Sequence, residues 1–199
     1  MTTLVWTDTL SAPRSLATRS ETAVALIEDP GVLELSLGKA DADLVRCEEV
    51  LGVALPQTPW HCADNGEIRS IWTGPGRWRI LVPRPRAVDF VAALADGLGP
   101  SRVYDLTGGY SLFRIVGATA AEILMRVCPL DLRPVEPGQA RGTSVARIRC
   151  LLVRESSPEN SWLVLAPRSF AEHLAGALTE AARTPGRLGL FEPAEPPPV

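Results

Sequence analysis

The chain contains one seventeen-residue pattern twice, and this repeat restricts the possible fold more than any other feature of the sequence. The first copy, WRILVPRPRAVDFVAAL, begins at Trp78, and the second, WLVLAPRSFAEHLAGAL, begins at Trp162. The copies align without a gap, and seven positions are identical, including the tryptophan and a Pro-Arg pair. Because internal similarity of this kind marks a repeated structural unit, the sequence predicts two similar halves.

Each copy predicts a strand followed by a helix. A run rich in Val, Ile and Leu indicates the strand, and Pro83 or Pro167 ends its pairing because proline has no N–H. Ser169 and Glu172 match a capping box, which predicts the start of the second helix. The predicted apolar helix faces consist of Phe90, Val91, Leu94 and Leu98 in the first copy and of Phe170, Leu174, Ala177, Leu178 and Ala181 in the second.

A weaker match lies upstream of each copy, where VLELSLGKADADLVRCEEVLGV aligns with SLFRIVGATAAEILMRVCPLDL. Both segments predict a strand that runs into a glycine, Gly38 or Gly117, before a helix. Thr119 and Glu122 match a capping box for the second of these helices. The predicted buried residues are Leu44, Cys47 and Leu51 in one helix and Ile123, Leu124, Val127 and Cys128 in the other.

One further strand is predicted in each half, between the upstream helix and the strand that begins with tryptophan. The candidates run from Ile68 to Thr73 and from Ser144 to Arg154, and residues typical of turns end both. Both are therefore predicted to form hairpins. Strands and helices in this order predict an α+β protein with two tandem βαββα halves.

The predicted halves are residues 23–100 and 101–183. Residues 184–199 are rich in proline and lack periodicity, so we expect an extended tail. Residues 1–22 are also expected to be extended rather than folded.

The N-terminal segment carries apolar residues without helical or strand periodicity, which suggests that it becomes ordered on a partner. Trp6 is the predicted anchor, because buried aromatic residues dominate the energetics of interfaces. Deletion of the residues before Ala23 is accordingly predicted to leave both halves folded and to weaken assembly.

The composition excludes several classes of function. With 199 residues, 46% of them hydrophobic, the chain can bury a core, and a net charge of -3 with scattered basic residues argues against nucleic-acid binding. The nineteen arginines against one lysine, Lys39, fit either an interface or a bias in codon usage. No apolar run approaches the roughly 20 residues of a membrane span, and no signal peptide is evident. We expect a cytoplasmic protein with no membrane partner.

The residues that could carry chemistry form no recognisable catalytic or metal-binding pattern. His61 and Cys62 are adjacent, but consecutive residues of an extended segment point to opposite sides. His173 falls on the polar side of a helix, and no Ser-His-Asp or Cys-His arrangement is evident. The cysteines, which share no CxxC spacing, are Cys47, Cys62, Cys128 and Cys150. The acidic residues predicted on solvated helix faces are Asp41, Asp43, Glu48 and Glu49.

Two features allow either a binding or a structural role. Trp78 and Trp162 could stack on a flat ligand, although an aromatic residue at a strand start more often packs in the core. The loop from Asp105 to Tyr110 places a carboxylate beside two glycines, but a turn between strands explains it equally well. Arg84 and Arg168 occur in both halves, which favours a role in the shared fold. We therefore predict no catalytic, cofactor-binding or metal-binding residue.

Several segments carry a resemblance to a known family. In order along the chain they are LGVALP, IWTGPGRWRILVP, DLTGGYSLFRIVGATAAEILMRVCPLDLRP, PGQARGTSVARI and APRSFAEHL. Through these segments the chain resembles the gamma subunits of heterotetrameric sarcosine oxidase over about Ile27 to Ala182. It departs from their pattern at Arg77, Val135 and Gly142, where Glu, Phe and Gln are usual.

The resemblance implies a fold like the amino-terminal part of aminomethyltransferases, with tandem ferredoxin-like repeats. It implies a non-catalytic subunit that binds alpha, beta and delta subunits, chiefly the large alpha subunit. FAD, FMN, NAD, tetrahydrofolate and zinc are expected on the other subunits and no cofactor on this chain. The implied complex demethylates sarcosine to glycine and transfers the one-carbon unit to tetrahydrofolate.

Two alternatives remain open from the sequence. The chain could be a stand-alone folate-binding or aminomethyltransferase-like protein, since fold does not decide function. It lacks a KGCYxGQ-like signature and is short for a complete aminomethyltransferase. It could also belong to a complex that acts on another N-methyl amino acid.

Overall fold

A computed structural model describes most of the chain. The described residues are 15–19, 22–27, 30–37, 41–99 and 102–183. The predicted anchor Trp6 and the predicted tail, residues 184–199, lie outside the described residues.

Strands and helices follow the same order in the two halves, except that no strand equivalent to β7 follows α4 within the described residues. The described part of the chain begins with β1 (Ser15–Arg19) and β2 (Thr22–Ile27). The first half comprises β3 (Pro30–Ser36), α1 (Asp41–Leu51), β4 (Cys62–Asp64), β5 (Arg69–Gly74), β6 (Arg77–Pro83), α2 (Ala87–Leu98) and β7 (Val103–Asp105). The second half comprises β8 (Tyr110–Val116), α3 (Ala120–Met125), β9 (Gln139–Val145), β10 (Ile148–Arg154), β11 (Ser161–Pro167) and α4 (Ala171–Arg183). A 3₁₀ turn, Arg84–Arg86 or Arg168–Phe170, precedes α2 and α4.

The strands form two antiparallel sheets, which confirms the predicted α+β class. The first sheet has the order β4-β5-β6-β3-β7, and the second has the order β1-β2-β8-β11-β10-β9. In the first half β3, α1, β5, β6, α2 and β7 follow the βαββαβ order of a ferredoxin-like unit. The register is the same in both halves, because Trp78 lies opposite Leu35 and Trp162 lies opposite Ile115.

Three apolar clusters show that the sheets pack face to face between two outer layers of helices. One cluster joins α1 and α2 to the first sheet through residues such as Leu33 and Phe90. Another joins α3 and α4 to the second sheet through residues such as Phe113 and Leu174. The third lies between the sheets and consists of Val32, Ile71 and Leu81 from the first sheet and Leu112, Ala140, Val153, Leu163 and Leu165 from the second. Strand residues alternate between the two faces, so each sheet contributes to two cores.

The N-terminal strands correct the predicted domain boundaries. β1 pairs with β2, and β2 pairs antiparallel with β8, so Ala23 to Ile27 belong to the sheet of the second half. β2 takes the place beside β8 that β7 takes beside β3. The prediction that residues 1–22 only form an extended segment outside the fold is therefore wrong for β1. The repeat in the sequence could not predict that β2 pairs with β8, because this pairing joins the start of the described chain to its second half.

The number of strands is also larger than predicted. The segment from Ser144 to Arg154, predicted as one strand, contains the end of β9, a turn and β10. β9 pairs antiparallel with β10. The chain reverses at Ala146 and Arg147, which have φ values of 48° and 69°. Two-residue hairpin turns favour Asn-Gly, whereas this turn has Ala146-Arg147, so the sequence pattern did not predict it. β4 supplies the corresponding additional strand of the first half.

Neither predicted capping box is formed as expected. Ser169 lies in the 3₁₀ turn before α4, and no capping bond from the Thr119 side chain is present at the start of α3. The predicted core residue Phe170 is 44% exposed. The 3₁₀ turn has about three residues per turn, so Phe170 leaves the apolar stripe that the α-helical spacing predicted. The other predicted helix faces are buried or half-buried.

Thr22 in β2 stabilises the start of α3 in place of the capping box. Its Oγ1 accepts a hydrogen bond from the N–H of Thr119 at 3.1 Å and lies 2.7 Å from the Thr119 hydroxyl oxygen. Thr22 is buried, so water cannot replace the lost oxygen. N-terminal β2 thus supplies both a strand and a helix cap to the second half.

We expect Thr22→Val to lower the free energy of unfolding by about 1–2 kcal/mol, because the half-buried Thr119 N–H loses its acceptor. Urea unfolding followed by far-UV circular dichroism measures the change. Thr58→Val is the matched control, since Thr58 is exposed and its hydroxyl makes no bond in the described chain. Equal stability of the two variants would contradict the capping role of Thr22.

Candidate functional site

The two repeated tryptophans occupy equivalent places in the core. Trp78 and Trp162 are each 2% exposed, at the second position of β6 and of β11. The Trp78 indole N–H donates to the Pro56 carbonyl at 2.8 Å, and the Arg154 guanidinium lies 5.6 Å from the Trp162 ring centroid. Neither ring is open to a flat ligand, so both serve the packing of sheet against helix.

The loop at residues 105–110 is a turn whose polar groups are used within the chain. The Asp105 carboxylate accepts a hydrogen bond from the Thr107 N–H at 2.8 Å. The Thr107 hydroxyl accepts from the Val32 N–H at 3.1 Å, and the Gly109 carbonyl accepts from the Arg168 N–H at 3.0 Å. The structure thus favours the turn over the ligand loop and gives Arg168 a structural contact.

Each histidine places a ring nitrogen near a backbone carbonyl oxygen, and three of the four cysteines are thiols whose pKa is raised by burial. His61 Nδ1 lies 3.1 Å from the Pro59 carbonyl oxygen, and exposed His173 places Nε2 3.1 Å from the Ala146 carbonyl oxygen. Burial raises the pKa of Cys62 to about 12. Burial likewise raises the pKa of Cys47 to about 11 and that of Cys150 to about 12. Protonated thiols are weak nucleophiles and weak metal ligands.

Two of the four acidic residues on α1 have structural contacts. A Glu48 carboxylate oxygen accepts from the Leu55 N–H at 2.7 Å, and Asp43 forms an ion pair with Arg102. Glu49 is exposed, and the side chain of Asp41 lies outside the described part. Among the described residues, no three side chains of His, Cys, Asp or Glu lie close enough together to hold a metal ion.

The densest polar cluster lies between the two sheets, around Glu155. Its side chain is fully buried, and it accepts a bond from Arg69 Nη1 at 2.8 Å. Arg114 donates from Nε and Nη2, both at 2.9 Å, and the Ser161 hydroxyl also bonds to the carboxylate. Arg69 extends the cluster to Asp64 at 2.6 Å. Because Arg69 belongs to the first half and Glu155 to the second, the cluster fastens the halves together.

A second polar contact crosses the interface between the two sheets, which we call the seam. Arg79 of β6 donates to Glu34 at 2.7 Å, and its guanidinium lies 4.9 Å from the ring centroid of Tyr110 in β8. Two further nitrogens of Arg79, Nε and Nη1, are buried and have no hydrogen-bond partner among the described residues. The seam therefore combines an apolar centre with charged residues from both halves.

Sequence analysis missed this seam because its partners are far apart in the chain. One signal was present, since Glu34 and Arg114 interrupt the otherwise apolar strands VLELS and SLFRIV at equivalent positions. A charged residue within a buried strand requires a partner. The sequence could not name that partner, because Glu155 lies 41 residues from Arg114 and 86 from Arg69.

Two clefts adjoin the cluster. One, of about 230 Å³, is lined by residues that include Arg69, Leu81 and Arg114, and the other, of about 290 Å³, by residues that include Cys62 and Glu155. Both oxygens of the Glu155 carboxylate already accept charge-assisted bonds, so this group is held as a structural acceptor rather than a free base. The arrangement supports rigidity and not proton transfer.

The three departures from the resembled pattern occupy distinct environments. Arg77 is exposed, and Val135 is buried in the second half's core. A Cβ on Gly142 would approach the Trp60 ring to 3.0 Å, so a glutamine there would require the ring to move. No helix in the described part combines the length and apolar character needed to span a membrane.

Comparison with known proteins identifies a family and relatives that this chain resembles. Residues 39–183 match the model of the sarcosine oxidase, gamma subunit family. The sarcosine oxidase subunit gamma of Corynebacterium sp. (strain P-1) is 35% identical over 146 residues, which is 69% of this chain and 70% of that protein.

Solved structures agree in fold. A chain of the heterotetrameric sarcosine oxidase from Corynebacterium sp. U-96 aligns with a TM-score of 0.73 and 27% identity, over 84% of this chain and 86% of that one. The glycine cleavage system aminomethyltransferase T from Bartonella henselae aligns with a TM-score of 0.62 and 15% identity, over 83% of this chain and 47% of that one. The second likeness shows the fold alone. By its family match and its relatives, the chain belongs to the sarcosine oxidase, gamma subunit family.

Proposed function

We propose that this chain is a structural, non-catalytic subunit of a heterotetrameric sarcosine oxidase. The observation that carries the proposal is the alignment of both halves with a chain of such an oxidase over most of the length of each. The chain's own geometry supports a structural role, because its densest ionisable cluster binds the two halves to each other.

The proposed task is to present a rigid surface to the other subunits. The apolar seam and the Glu155 cluster hold the sheets in one orientation, so surface residues from both halves keep fixed positions. A pre-organised surface loses less conformational entropy when it binds. We propose alpha, beta and delta subunits as partners, chiefly the large alpha subunit.

In this proposal FAD, FMN, NAD, tetrahydrofolate and zinc belong to the other subunits. The complex would oxidise sarcosine to glycine and pass the one-carbon unit to tetrahydrofolate. A related complex that acts on another N-methyl amino acid is the alternative for the substrate. The four cysteines are all free thiols, which fits the cytoplasmic location that we propose.

We expect the purified full-length chain to bind no flavin and to show no sarcosine turnover. The physical reason is that the polar side chains of the densest cluster, around Glu155, are committed to contacts within the fold. Absorbance of the pure chain in the flavin region and a peroxide-coupled assay with sarcosine measure the two properties. The complete complex, produced by co-expression, is the positive control.

A yellow and active preparation of the chain alone would overturn the proposal. Tight binding of tetrahydrofolate to the isolated chain, measured by calorimetry, would instead favour a stand-alone folate-binding protein. Activity of the complex with an N-methyl amino acid other than sarcosine would preserve the structural role and change the substrate.

A further inference from the structure

The hairpin of β9 and β10 is a basic element in a chain of net negative charge. Residues 139–154 contain four arginines and no acidic residue. Arg147 and Arg149 are exposed, and neither has a hydrogen bond or ion pair within the described part of the chain. Exposed arginines without an internal counterion are suited to a negatively charged partner.

β9 is also an edge strand with a partly open side. β10 covers one side of it, and the Trp60 carbonyl accepts from the Ala140 N–H on the other side at 2.7 Å. Successive strand residues alternate in direction, so the N–H and C=O groups of Gly142 and Ser144 also point away from β10. No described strand pairs with this side of β9.

The inner face of the hairpin reaches beyond the contact between the sheets. Ala140, Leu151 and Val153 face the first sheet in the cluster between the sheets. By alternation and register, Ser144 and Arg149 lie opposite each other on this same face. Arg149 is exposed, so the end of this face is not covered by the first sheet within the described residues.

Backbone strain is concentrated beside the same edge. Four non-glycine residues of the described chain have positive φ, and three of them, Trp60, Ala146 and Arg147, flank β9. Such conformations cost about 1 kcal/mol or more each and persist where the surroundings require them. The turn therefore holds an arginine at a position where glycine would be relaxed, and half-buried Trp60 lies against Gly142.

We propose that an acidic extended segment of a partner subunit binds along this side of β9 as an additional strand. The β9 edge surface consists of Trp60, Gly142, Ser144, Arg147 and Arg149. The open amides and carbonyls supply the strand pairing, and the two arginines select acidic side chains. This inference rests on the proposed function, because the partner is taken to be another subunit of the complex.

The test uses the full-length tagged chain co-expressed with the other subunits and washed on the affinity resin in steps of rising NaCl. The double variant Arg147→Gly/Arg149→Thr should hold the other subunits with an apparent affinity at least about tenfold lower than wild type. Arg147→Gly also relaxes the turn, so loss of binding cannot be assigned to a weakened fold. Ala146→Asn, which relaxes the turn and keeps both arginines, should bind like wild type.

Arg133→Ser/Arg183→Ser is the matched control for charge, because both arginines are exposed and belong to neither β9 nor β10. It should bind like wild type. Ser144→Pro tests strand addition, since proline removes an N–H that points outward from an edge strand. We expect it to retain the circular dichroism of wild type and to lose most of the binding.

Retention of the other subunits by the double variant at wild-type strength would overturn the inference and leave the proposed function standing. Equal losses in the double variant and in the charge control would also overturn it, because the effect would then be general. Wild-type binding by Ser144→Pro would refute strand pairing. Failure of the wild-type chain to retain any subunit would instead refute the proposed function.

Discussion

Trp78→Ala and Trp162→Ala should each lower the free energy of unfolding by about 3–5 kcal/mol, the range for truncation of a large buried aromatic side chain. Both rings are almost fully buried at equivalent positions of the two halves. Each truncation leaves a cavity between sheet and helix, and the surrounding core cannot fill it completely. Urea unfolding of the full-length chain, followed by far-UV circular dichroism, measures both changes.

Replacement by phenylalanine separates the two positions. Trp78→Phe leaves the Pro56 carbonyl without the indole donor, whereas no hydrogen bond from the Trp162 indole is present in the described chain. We therefore expect Trp78→Phe to be the more destabilising of the two phenylalanine variants, by about 1 kcal/mol. A loss below 1 kcal/mol in either alanine variant would contradict the equivalence of the two halves.

Removal of the Glu155 charge should have an effect of similar size. We expect Glu155→Gln to destabilise the chain by about 3–5 kcal/mol, because Arg69 and Arg114 would remain near the seam without their shared carboxylate. The same denaturant titration applies. Asp131→Asn, which breaks the exposed ion pair with Arg133, is the control and should change stability by less than about 0.5 kcal/mol.

The triple variant Arg69→Met/Arg114→Met/Glu155→Leu tests whether the charges themselves are required for stability. Apolar side chains of similar volume can replace a buried ion cluster with little loss, so we expect this variant to be more stable than Glu155→Gln. If Glu155→Gln is as stable as wild type, the cluster does not fasten the halves and the rigid-body account of the seam is wrong.

The repeat allowed much of the fold to be predicted because it involves contacts that are local in sequence. A strand, its ending proline and the following helix lie within seventeen residues, so pattern and structure agree at Trp78 and Trp162. The predicted buried position of Cys128 is confirmed for the same reason. Helix spacing failed only at Phe170, where a 3₁₀ turn changes the phase.

Features that depend on distant contacts could not be predicted. β2 pairs with a strand almost ninety residues later, and Thr22 replaces the capping side chain that the local motif at Thr119 suggested. The hairpin turn at Ala146 and Arg147 uses residues that seldom adopt positive φ, so no turn signal marked it. The bond between Arg69 and Glu155 could not be predicted for the same reason, because the two residues come from different halves.

The positions that are identical in the two halves differ in character from those that have diverged. The duplicated positions are largely core or strand-ending residues, and the charged residues of the seam differ between halves, with Glu34 in one and Arg114 in the other. Glu34 bonds to Arg79 and Arg114 bonds to Glu155, each within its own half. Arg79 and Glu155 in turn contact Tyr110 and Arg69 of the other half.

The proposed role as a subunit of a heterotetrameric complex can be tested by co-expression of the tagged full-length chain with the reading frames that neighbour its own. The complex is purified on the tag, and its intact mass is measured. We expect one copy of this chain in a complex with three different subunits, one of which carries flavin. Recovery of this chain alone, with the flavoprotein active and fully assembled in the unbound fraction, would contradict it.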